Sequence, residues 1–458
     1  MQKFGDRIRQ SGEIKSNIKN LVSEALKLSE GIQGVRPALP TEVDGFKKSC
    51  EEIGSLRGRP LYYNYVGSGA GYGPYVELED GSIKLDLING IGIHILGHSH
   101  PEVLSASVEA ALSDVTMQGN LQPNQEYRLI LEKLIEIASR KSSIKYGWLT
   151  TCGAMAGENA LKIVRQKTKA AKVIAMQNAF AGRSMMMAEI TDNPAFKQGL
   201  PDYHEILRIP FFDPYAPEES TKKALEMFKE HVQKNKGQIS CFSFEPMQGE
   251  GGFNVAPRDY FVPMLDICKN EKIPVWFDEV QTFCRTGEFF AFQKMDLGEY
   301  VDVITVAKSL QGAATLYTEE MNPQPGLISG TFAGSSVALN VGRRVLDYLD
   351  TDQYMGANGK IQKIHEKFIK MLNELNETTC KGLLRDAGGM GLMVSVIPLD
   401  GSNESANKVA KTLYTNGIIG FTCGRGPYKL RFLLPAILED KHIAEAKTIF
   451  EKTILECK

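Results

Sequence analysis

Residues 273–280 read IPVWFDEV, a buried-looking apolar run that ends in the acids Asp278 and Glu279. Helical stretches separate this run from three similar ones, KVIAMQ (172–177), ISCFSFEPM (239–247) and VDVITVA (301–307). Short apolar strands that alternate with helices are typical of a mostly parallel sheet covered by helices on both faces. The sequence therefore predicts an α/β protein. Its ligands should bind beyond the carboxyl ends of the strands, where Asp278 lies.

The chain of 458 residues is long enough for two or three domains. Alternating residues around Asp80 and Gly81 predict a β-hairpin, whereas the glycine-rich stretch GSGAGYG at 67–73 predicts a flexible loop. The predicted units are an N-terminal helical segment (1–60), the N-terminal part of a small domain (61–100), a large domain (101–344) and the C-terminal α+β part of the small domain (345–458).

Composition and charge argue against several classes of protein. The formal net charge is −2 without runs of like charge, so nothing favours nucleic acid or an anionic membrane as a partner. No window approaches ~20 apolar residues, and the charged, helix-like N-terminus has no apolar signal core. The eight cysteines show neither CxxC nor CxxH spacing, as in reduced intracellular proteins. We therefore expect a soluble, cytoplasmic protein.

A lysine follows the next predicted strand after Asp278. Lys308 ends the run VDVITVAK and is followed by small residues. A lysine at a strand end is more often a solvated side chain, but in an enclosed pocket it can lose its proton and form a Schiff base with an aldehyde cofactor. Pyridoxal phosphate needs an anion beside its ring nitrogen, a seat for its phosphate and a flat group to stack on its ring. Asp278 is suited to the first of these tasks.

The other two requirements have candidates upstream. Gly153 opens GAMAGENALK, a turn of small residues that leads into a helix, and free N–H groups at a helix start bind anions. In QNAFAGRS, Phe180 is suited to stacking on a flat ring and Arg183 to holding a carboxylate through two hydrogen bonds. Taken singly, each feature has a structural alternative, since such a turn is usually only a turn and Phe180 would more often be core.

Three further stretches have no single interpretation on their own. EPMQGEGGF (245–253) is either a plain glycine-rich loop or part of a site, and GTFAGSS (330–336) offers hydroxyls or a tight turn. In GPYKLRFLLP, Arg431 lies inside an apolar strand pattern. A buried arginine needs an anionic partner from the protein or from a ligand.

The order of these motifs resembles that of the class III aminotransferases, which are fold type I pyridoxal-phosphate enzymes. The resemblance extends from about Tyr75 to Glu451 and rests on GSIKLDLINGIGIHILGHSHPEV, GAMAGENALK, AFAGR, EPMQGEGG, FDEVQT, AKSLQG and GTFAG. It implies pyridoxal 5'-phosphate as the cofactor, bound by the large domain at 101–344. It also implies a homodimer with shared active sites.

The resemblance further implies roles for individual residues. The implied catalytic residues are Lys308, as Schiff-base lysine and proton shuttle, and Asp278, at the ring nitrogen. The other implied cofactor ligands are Gly153 and Ala154 (phosphate), Phe180 (ring stacking), Gln281 (ring hydroxyl) and Thr331 (phosphate, from the neighbouring subunit). The implied substrate-binding residues are Arg183 (distal carboxylate), Arg431 (α-carboxylate), Glu250 (partner of that arginine when an ω-amino donor is bound) and Ile91.

Several positions depart from the family pattern. The departures are Met155 and Gly157 in place of Glu and Asn, Ala181 in place of His, Ala313 in place of a common glycine, and one glycine missing after Thr282. Ile91 agrees with relatives that act on 4-aminobutyrate or acetylornithine, whereas relatives that act on ornithine usually have Tyr there. This disfavours ornithine as the donor.

The implied reaction is amino transfer from an ω-amino donor to a 2-oxo acid, with 2-oxoglutarate as the expected acceptor. The alternative on this scaffold is an aminomutase or a decarboxylase, since both use the same lysine and aspartate. A nucleotide-binding dehydrogenase is disfavoured, because residues 67–73 do not fit GxGxxG followed by a long helix. No metal site is predicted, because His98 and His100 have no third ligand nearby and more often cap a turn before Pro101.

Overall fold

Helices and strands alternate along most of the chain, whose computed structural model describes residues 2–351 and 353–458. In this part the helices are α1 (Phe4–Gln10), α2 (Gly12–Ser29), α3 (Val43–Leu56), α4 (Asn89–Gly92), α5 (Pro101–Ala111), α6 (Gln125–Ser139), α7 (Gly153–Thr168), α8 (Met185–Ile190), α9 (Pro217–Lys234), α10 (Arg258–Glu271), α11 (Ala291–Lys294), α12 (Ser336–Leu349), α13 (Lys360–Glu377), α14 (Asn403–Asn416) and α15 (Asp440–Cys457). The strands are β1 (Gly67–Tyr72), β2 (Tyr75–Leu78), β3 (Ile83–Asp86), β4 (Met117–Gln118), β5 (Ile144–Thr150), β6 (Lys172–Met176), β7 (Ile206–Ile209), β8 (Ile239–Phe244), β9 (Val275–Asp278), β10 (Val303–Val306), β11 (Ala313–Thr318), β12 (Gly334–Ser335), β13 (Leu384–Met390), β14 (Met393–Pro398), β15 (Ile418–Ile419), β16 (Phe421–Cys423) and β17 (Lys429–Leu433).

A seven-stranded sheet in the order β5-β11-β10-β9-β8-β6-β7 forms the centre of the fold. The strands from β10 to β7 pair in parallel, whereas β11 is antiparallel to both of its neighbours. Both faces are covered: Trp276 of β9 packs in a cluster with Ala160 and Val164 of α7, and Phe277 packs beside Phe244, which stacks on Phe261 of α10. The prediction of a mostly parallel α/β sheet is confirmed.

Strands from the N-terminal and C-terminal parts of the chain form two smaller sheets of four strands each. One has the order β1-β2-β3-β15, in which β15 pairs in parallel with β3, and the other has the order β13-β14-β17-β16. One sheet therefore joins residues before 100 to residues after 345. This arrangement supports the proposal that stretches 61–100 and 345–458 make one small domain.

The glycine-rich stretch at 67–73 is a strand, so the prediction of a flexible loop was wrong. Gly67 and Gly71 of β1 pair with Leu78 and Val76 of β2. Strand pairing uses backbone groups, which glycine supplies as well as any residue. The missing side chain also has a packing role, since a Cβ on Gly71 would lie 2.6 Å from Cβ of His98.

Two local predictions around this sheet are confirmed. The hairpin of β2 and β3 turns at Asp80, whose carboxylate accepts the Ser82 N–H at 2.9 Å. Of the two histidines, His100 caps α5, because its Nδ1 accepts the Glu102 N–H at 3.3 Å, whereas Nε2 of His98 lies 3.0 Å from Oδ2 of Asp86.

The N-terminal segment is helical, and α2 packs on α5 while burying Ile18 and Val22. Within the described residues, none of the helices is both long and apolar enough to span a bilayer. In the same residues no three histidine, cysteine, aspartate or glutamate side chains gather as metal ligands would.

Asp302 lies before β10, at the end of the sheet opposite the carboxyl ends. It accepts the Val275 N–H at 2.8 Å, and burial raises the pKa of Asp302 to about 6. A folded-state pKa above the unfolded value means that the ionised carboxylate destabilises the fold as the pH rises through that range.

Asp302→Asn removes this charge and keeps an oxygen for Val275. We expect a higher Tm than wild type at about pH 8 and a smaller difference at about pH 4.5, as thermal unfolding would measure. An equal difference at both pH values would contradict this.

Candidate active site

A cavity of about 380 Å³ opens at the carboxyl edge of the seven-stranded sheet. Each predicted residue in it follows a strand end, because the carboxyl ends of parallel strands meet at one edge. Six predicted site residues line it: Gly153 and Ala154 after β5, Phe180 after β6, Asp278 and Gln281 at the end of β9, and Lys308 after β10.

Lys308 supplies a primary amine to this cavity. It lies two residues beyond β10 with a φ of 56°, in the left-handed region that side chains disfavour. Burial, together with the positive charges of Arg285 and Arg431, lowers the pKa of Lys308 to about 7. A large fraction of this amine is therefore neutral near neutral pH, as a nucleophile or a base requires.

Asp278 supplies a buried carboxylate. It is the last residue of β9, pairs in register with Thr305 of β10 and is 7% exposed. Its Oδ1 accepts the Val280 N–H at 3.0 Å, yet burial raises the pKa of Asp278 to about 6. A cation in the cavity would favour the ionised form of this group.

The start of α7 forms an anion seat at the cavity. Its N-cap residue, Cys152, makes no side-chain capping hydrogen bond, so the N–H groups of the first turn are available to a ligand. Gly153 lies close to the opposite wall, because a Cβ there would be 3.0 Å from Cγ1 of Val280.

Arg431 and Glu250 form an ion pair beside the cavity. Nη1 of Arg431 lies 2.6 Å from Oε1 of Glu250, and the arginine side chain is 1% exposed while the glutamate is 27% exposed. The guanidinium carbon is 5.3 Å from the ring centre of Phe421. Nε of Arg431 has no hydrogen-bond partner among the described residues. The glutamate is therefore the more solvent-accessible member of the pair.

Residues 64–454 match the sequence profile of the family described as aminotransferase class-III. The chain belongs to the class III aminotransferases. These enzymes use pyridoxal phosphate, so this aminotransferase is a pyridoxal-phosphate-dependent enzyme, and the family resemblance drawn from the sequence is confirmed.

Curated relatives match most of the aminotransferase. A probable 4-aminobutyrate aminotransferase of Bacillus subtilis is 30% identical over 394 residues, which cover 81% of this chain and 89% of the relative. An acetylornithine aminotransferase of Aquifex aeolicus is 29% identical over 400 residues, which cover 84% and 96%. Among solved structures, a lysine aminotransferase from M. tuberculosis has a TM-score of 0.79 at 20% identity, covering 89% of this chain and 100% of that chain.

The residues around the cavity fit the cofactor of this family. An amine, a buried carboxylate and an uncapped helix start meet there, and these match an aldehyde, a ring nitrogen and a phosphate. Oε1 of Gln281 is buried without a hydrogen-bond partner in the described part of the chain, so it is left for a ligand. Phe180 offers an aromatic wall.

Five predicted residues of the aminotransferase lie outside the cavity lining, namely the paired Glu250 and Arg431 and the three residues Arg183, Ile91 and Thr331. Arg183 is exposed, with its guanidinium carbon 4.0 Å from the ring centre of Phe196. Ile91 is half-buried in the left-handed turn α4, next to the segment that brings Ile93 to the cavity. Thr331 is exposed, and its carbonyl packs on Gly119.

Two buried side chains near the cavity were not predicted. Arg285 is 1% exposed and donates to the carbonyls of Gln281 (2.9 Å) and Gly92. The sequence around Arg285 gave no indication that this side chain is buried. Glu245 lines the cavity at 7% exposure. Its signal was available, because it directly follows a buried strand, as the acids of IPVWFDEV do.

The departures from the family pattern are accommodated locally. A Cβ on Gly157 would lie 2.4 Å from Sδ of Met187, so the methionine occupies the space that a larger residue would need. In the shortened run after Thr282, Cys284 has a φ of 66° and Arg285 holds the carbonyl of Gln281. Gln281 therefore still lines the cavity although the run after Thr282 is one glycine shorter.

Proposed function

We propose that this aminotransferase moves an amino group from an ω-amino donor, such as 4-aminobutyrate, acetylornithine or lysine, to a 2-oxo acid, with 2-oxoglutarate as acceptor. The observation that carries this proposal is the ion pair between buried Arg431 and partly exposed Glu250. A donor without a carboxylate near its reacting amine leaves Arg431 without an anion, and Glu250 then supplies one. A 2-oxo acid brings its own carboxylate and displaces Glu250. The relatives named above support this donor class.

The proposed chemistry assigns one task to each residue of the cavity. Pyridoxal phosphate, when bound, supplies an aldehyde that condenses with amines and a ring that withdraws electrons. Asp278 holds the positive charge at the ring nitrogen, and the start of α7 binds the phosphate. Lys308, whose amine is to a large extent neutral near neutral pH, would hold the cofactor through its aldehyde and would carry the proton at the reacting carbons once a donor is bound. Arg183 holds the distal carboxylate of 2-oxoglutarate.

A panel of donors tests the function. Purified enzyme loaded with pyridoxal phosphate would be mixed with 4-aminobutyrate, acetylornithine, lysine, ornithine and simple amines, and the loss of the visible cofactor band would be followed. We expect an ω-amino donor to bleach the band fastest and 2-oxoglutarate to restore it. Turnover that needs no oxo acid would instead indicate an aminomutase or a decarboxylase.

The ion pair leads to a prediction that separates the two half-reactions. In Glu250→Gln a neutral amide faces Arg431, so the arginine stays charged and unpaired while an ω-amino donor is bound. We expect kcat/KM for the donor to fall by about 10-fold, while the rate with 2-oxoglutarate stays close to wild type. Single-turnover bleaching and recovery of the visible band measure the two steps. Equal losses in both steps would show that Glu250 has no such switching role.

We propose that the enzyme is a homodimer in which Thr331 completes the phosphate seat of the second copy. The exposure of Thr331, Phe332 (56%) and Leu121 (91%) on one chain supports this. We also propose a cytoplasmic location, which the eight free cysteines support.

Mixed dimers provide a direct test of shared sites. Thr331→Ala should weaken pyridoxal phosphate binding by about 10-fold through the loss of a charged hydrogen bond. Consider a mixed dimer of one Thr331→Ala copy and one Lys308→Ala copy. If the sites are shared, one site combines the intact Lys308 of the first copy with the intact Thr331 of the second. We therefore expect the mixed dimer to reach about half of the wild-type activity with the wild-type Kd for pyridoxal phosphate, whereas sites built within single chains would show the about 10-fold weaker Kd of Thr331→Ala.

A further inference from the structure

Glu245 is a buried carboxylate with an unusual set of partners. It follows β8 directly, and its two oxygens accept two backbone N–H groups: Oε1 from Phe180 at 3.0 Å and Oε2 from Gly249 at 2.9 Å. In the part of the chain that the structure describes, no lysine, arginine or histidine forms an ion pair with it. Its hydrogen-bond partners among these residues are therefore the two amides.

The placement of this carboxylate is energetically unfavourable. Burial, and then the charges of Asp278 and Glu250, raise the pKa of Glu245 to about 8. A carboxylate that is desolvated beside two other acids weakens the folded state. Perturbed groups of this kind cluster at functional sites. The segments that its two hydrogen bonds join therefore indicate the role of Glu245.

The two amides belong to different segments of the chain. Phe180 is the aromatic wall of the cavity. Gly249 opens the loop that carries Glu250, and it touches Gln281, since a Cβ there would lie 2.5 Å from Oε1 of that side chain. Further along the loop, the Gly252 carbonyl accepts a hydrogen bond from Lys429 at 2.9 Å. The loop is thus held at both ends, with Glu250 between them.

We propose that Glu245 is a positioning residue that ties the aromatic wall at Phe180 to the start of the loop carrying Glu250, so that one side chain sets both the cofactor side and the substrate side of the cavity. This inference rests on the proposed function, because it uses the roles given there to Phe180 and Glu250. Glu245 touches neither reacting group in this account. It acts through the two backbone segments that it joins.

The test compares Glu245→Gln with two matched variants. Glutamine has the same shape but replaces one acceptor oxygen with an NH₂ group, so one of the two amide ties is lost. Glu250→Gln changes the same loop without touching either tie. Asp302→Asn also removes a desolvated carboxylate that accepts a backbone N–H, but at the opposite end of the sheet. The readouts are the Kd for pyridoxal phosphate added to apoenzyme, the visible circular dichroism of the bound cofactor, and KM for donor and for 2-oxoglutarate.

For Glu245→Gln we expect the Kd for pyridoxal phosphate to rise by about 10-fold, since a buried N–H loses its acceptor. We also expect a weaker visible circular dichroism band and a higher KM for both substrates. Glu250→Gln should keep the wild-type Kd and dichroism, and Asp302→Asn should keep all values. A Kd and dichroism like wild type in Glu245→Gln, or changes confined to one substrate, would overturn the proposal.

A second variant covers the case in which Glu245→Gln does not fold. Glu245→Asp keeps the carboxyl group but withdraws it by one methylene, and it should show the same rise in Kd and loss of dichroism. Wild-type values in Glu245→Asp would overturn the proposal equally well. Failure of the proposed function has a different signature, because wild-type enzyme would then fail to transfer amino groups in the donor panel whatever residue occupies position 245.

Discussion

Lys308→Ala is expected to lose amino-transfer activity by about 10⁴-fold or more, the largest effect of any single substitution in this chain. The reason lies in the cavity, where this amine combines a pKa lowered to about 7 with a position beyond the buried strand β10. In the proposed mechanism, Lys308→Ala removes both the attachment point of the cofactor and the base that moves the proton.

The assay for Lys308→Ala has a chemical and a kinetic part. Borohydride reduction of wild-type enzyme should leave pyridoxal phosphate irreversibly on Lys308, as peptide mass spectrometry would detect, and the variant should carry none. The control is Lys145→Ala, which removes an exposed lysine paired with Glu319 at the start of β5. It should keep wild-type kinetics. Turnover of Lys308→Ala within about tenfold of wild type would refute the assignment.

Asp278→Asn is expected to move activity and stability in opposite directions. An amide cannot balance a positive charge at the ring nitrogen, so we expect kcat/KM to fall by at least about 10²-fold even at saturating cofactor. The apoenzyme should become more stable. Burial raises the pKa of Asp278 to about 6, and a raised folded-state pKa means that the ionised carboxylate destabilises the apoenzyme as the pH rises through that range.

Thermal unfolding of the apoenzyme at about pH 8 and about pH 4.5, with steady-state kinetics of the loaded enzyme, checks both parts of this prediction. The stabilisation should be present at the higher pH and shrink at the lower one. Asp302→Asn is again the control, because it should share the gain in stability without the loss in activity. A fall in apoenzyme Tm together with activity would point to a purely structural role for Asp278.

The fold and half of the site follow from local patterns in the sequence. Apolar runs that end in Asp278 or precede Lys308 predict strands whose carboxyl ends meet, and Gly153 begins a helix at the same edge. These signals are readable because burial of a strand or of one helix face leaves a periodic trace over neighbouring residues. The motif order then implied the family, which the profile match over 64–454 confirms.

Contacts between distant segments left no such trace, and only the folded chain decides them. Glu245 reaches Phe180 across 65 positions, and Arg285 reaches Gly92 across 193. The glycine-rich stretch at 67–73 becomes a strand because β2 offers backbone partners, whatever its own side chains favour. The hydrogen-bond partners of a residue and its loss of solvent depend on which surfaces pack together in three dimensions. The types and spacing of neighbouring residues along the chain do not predict that packing.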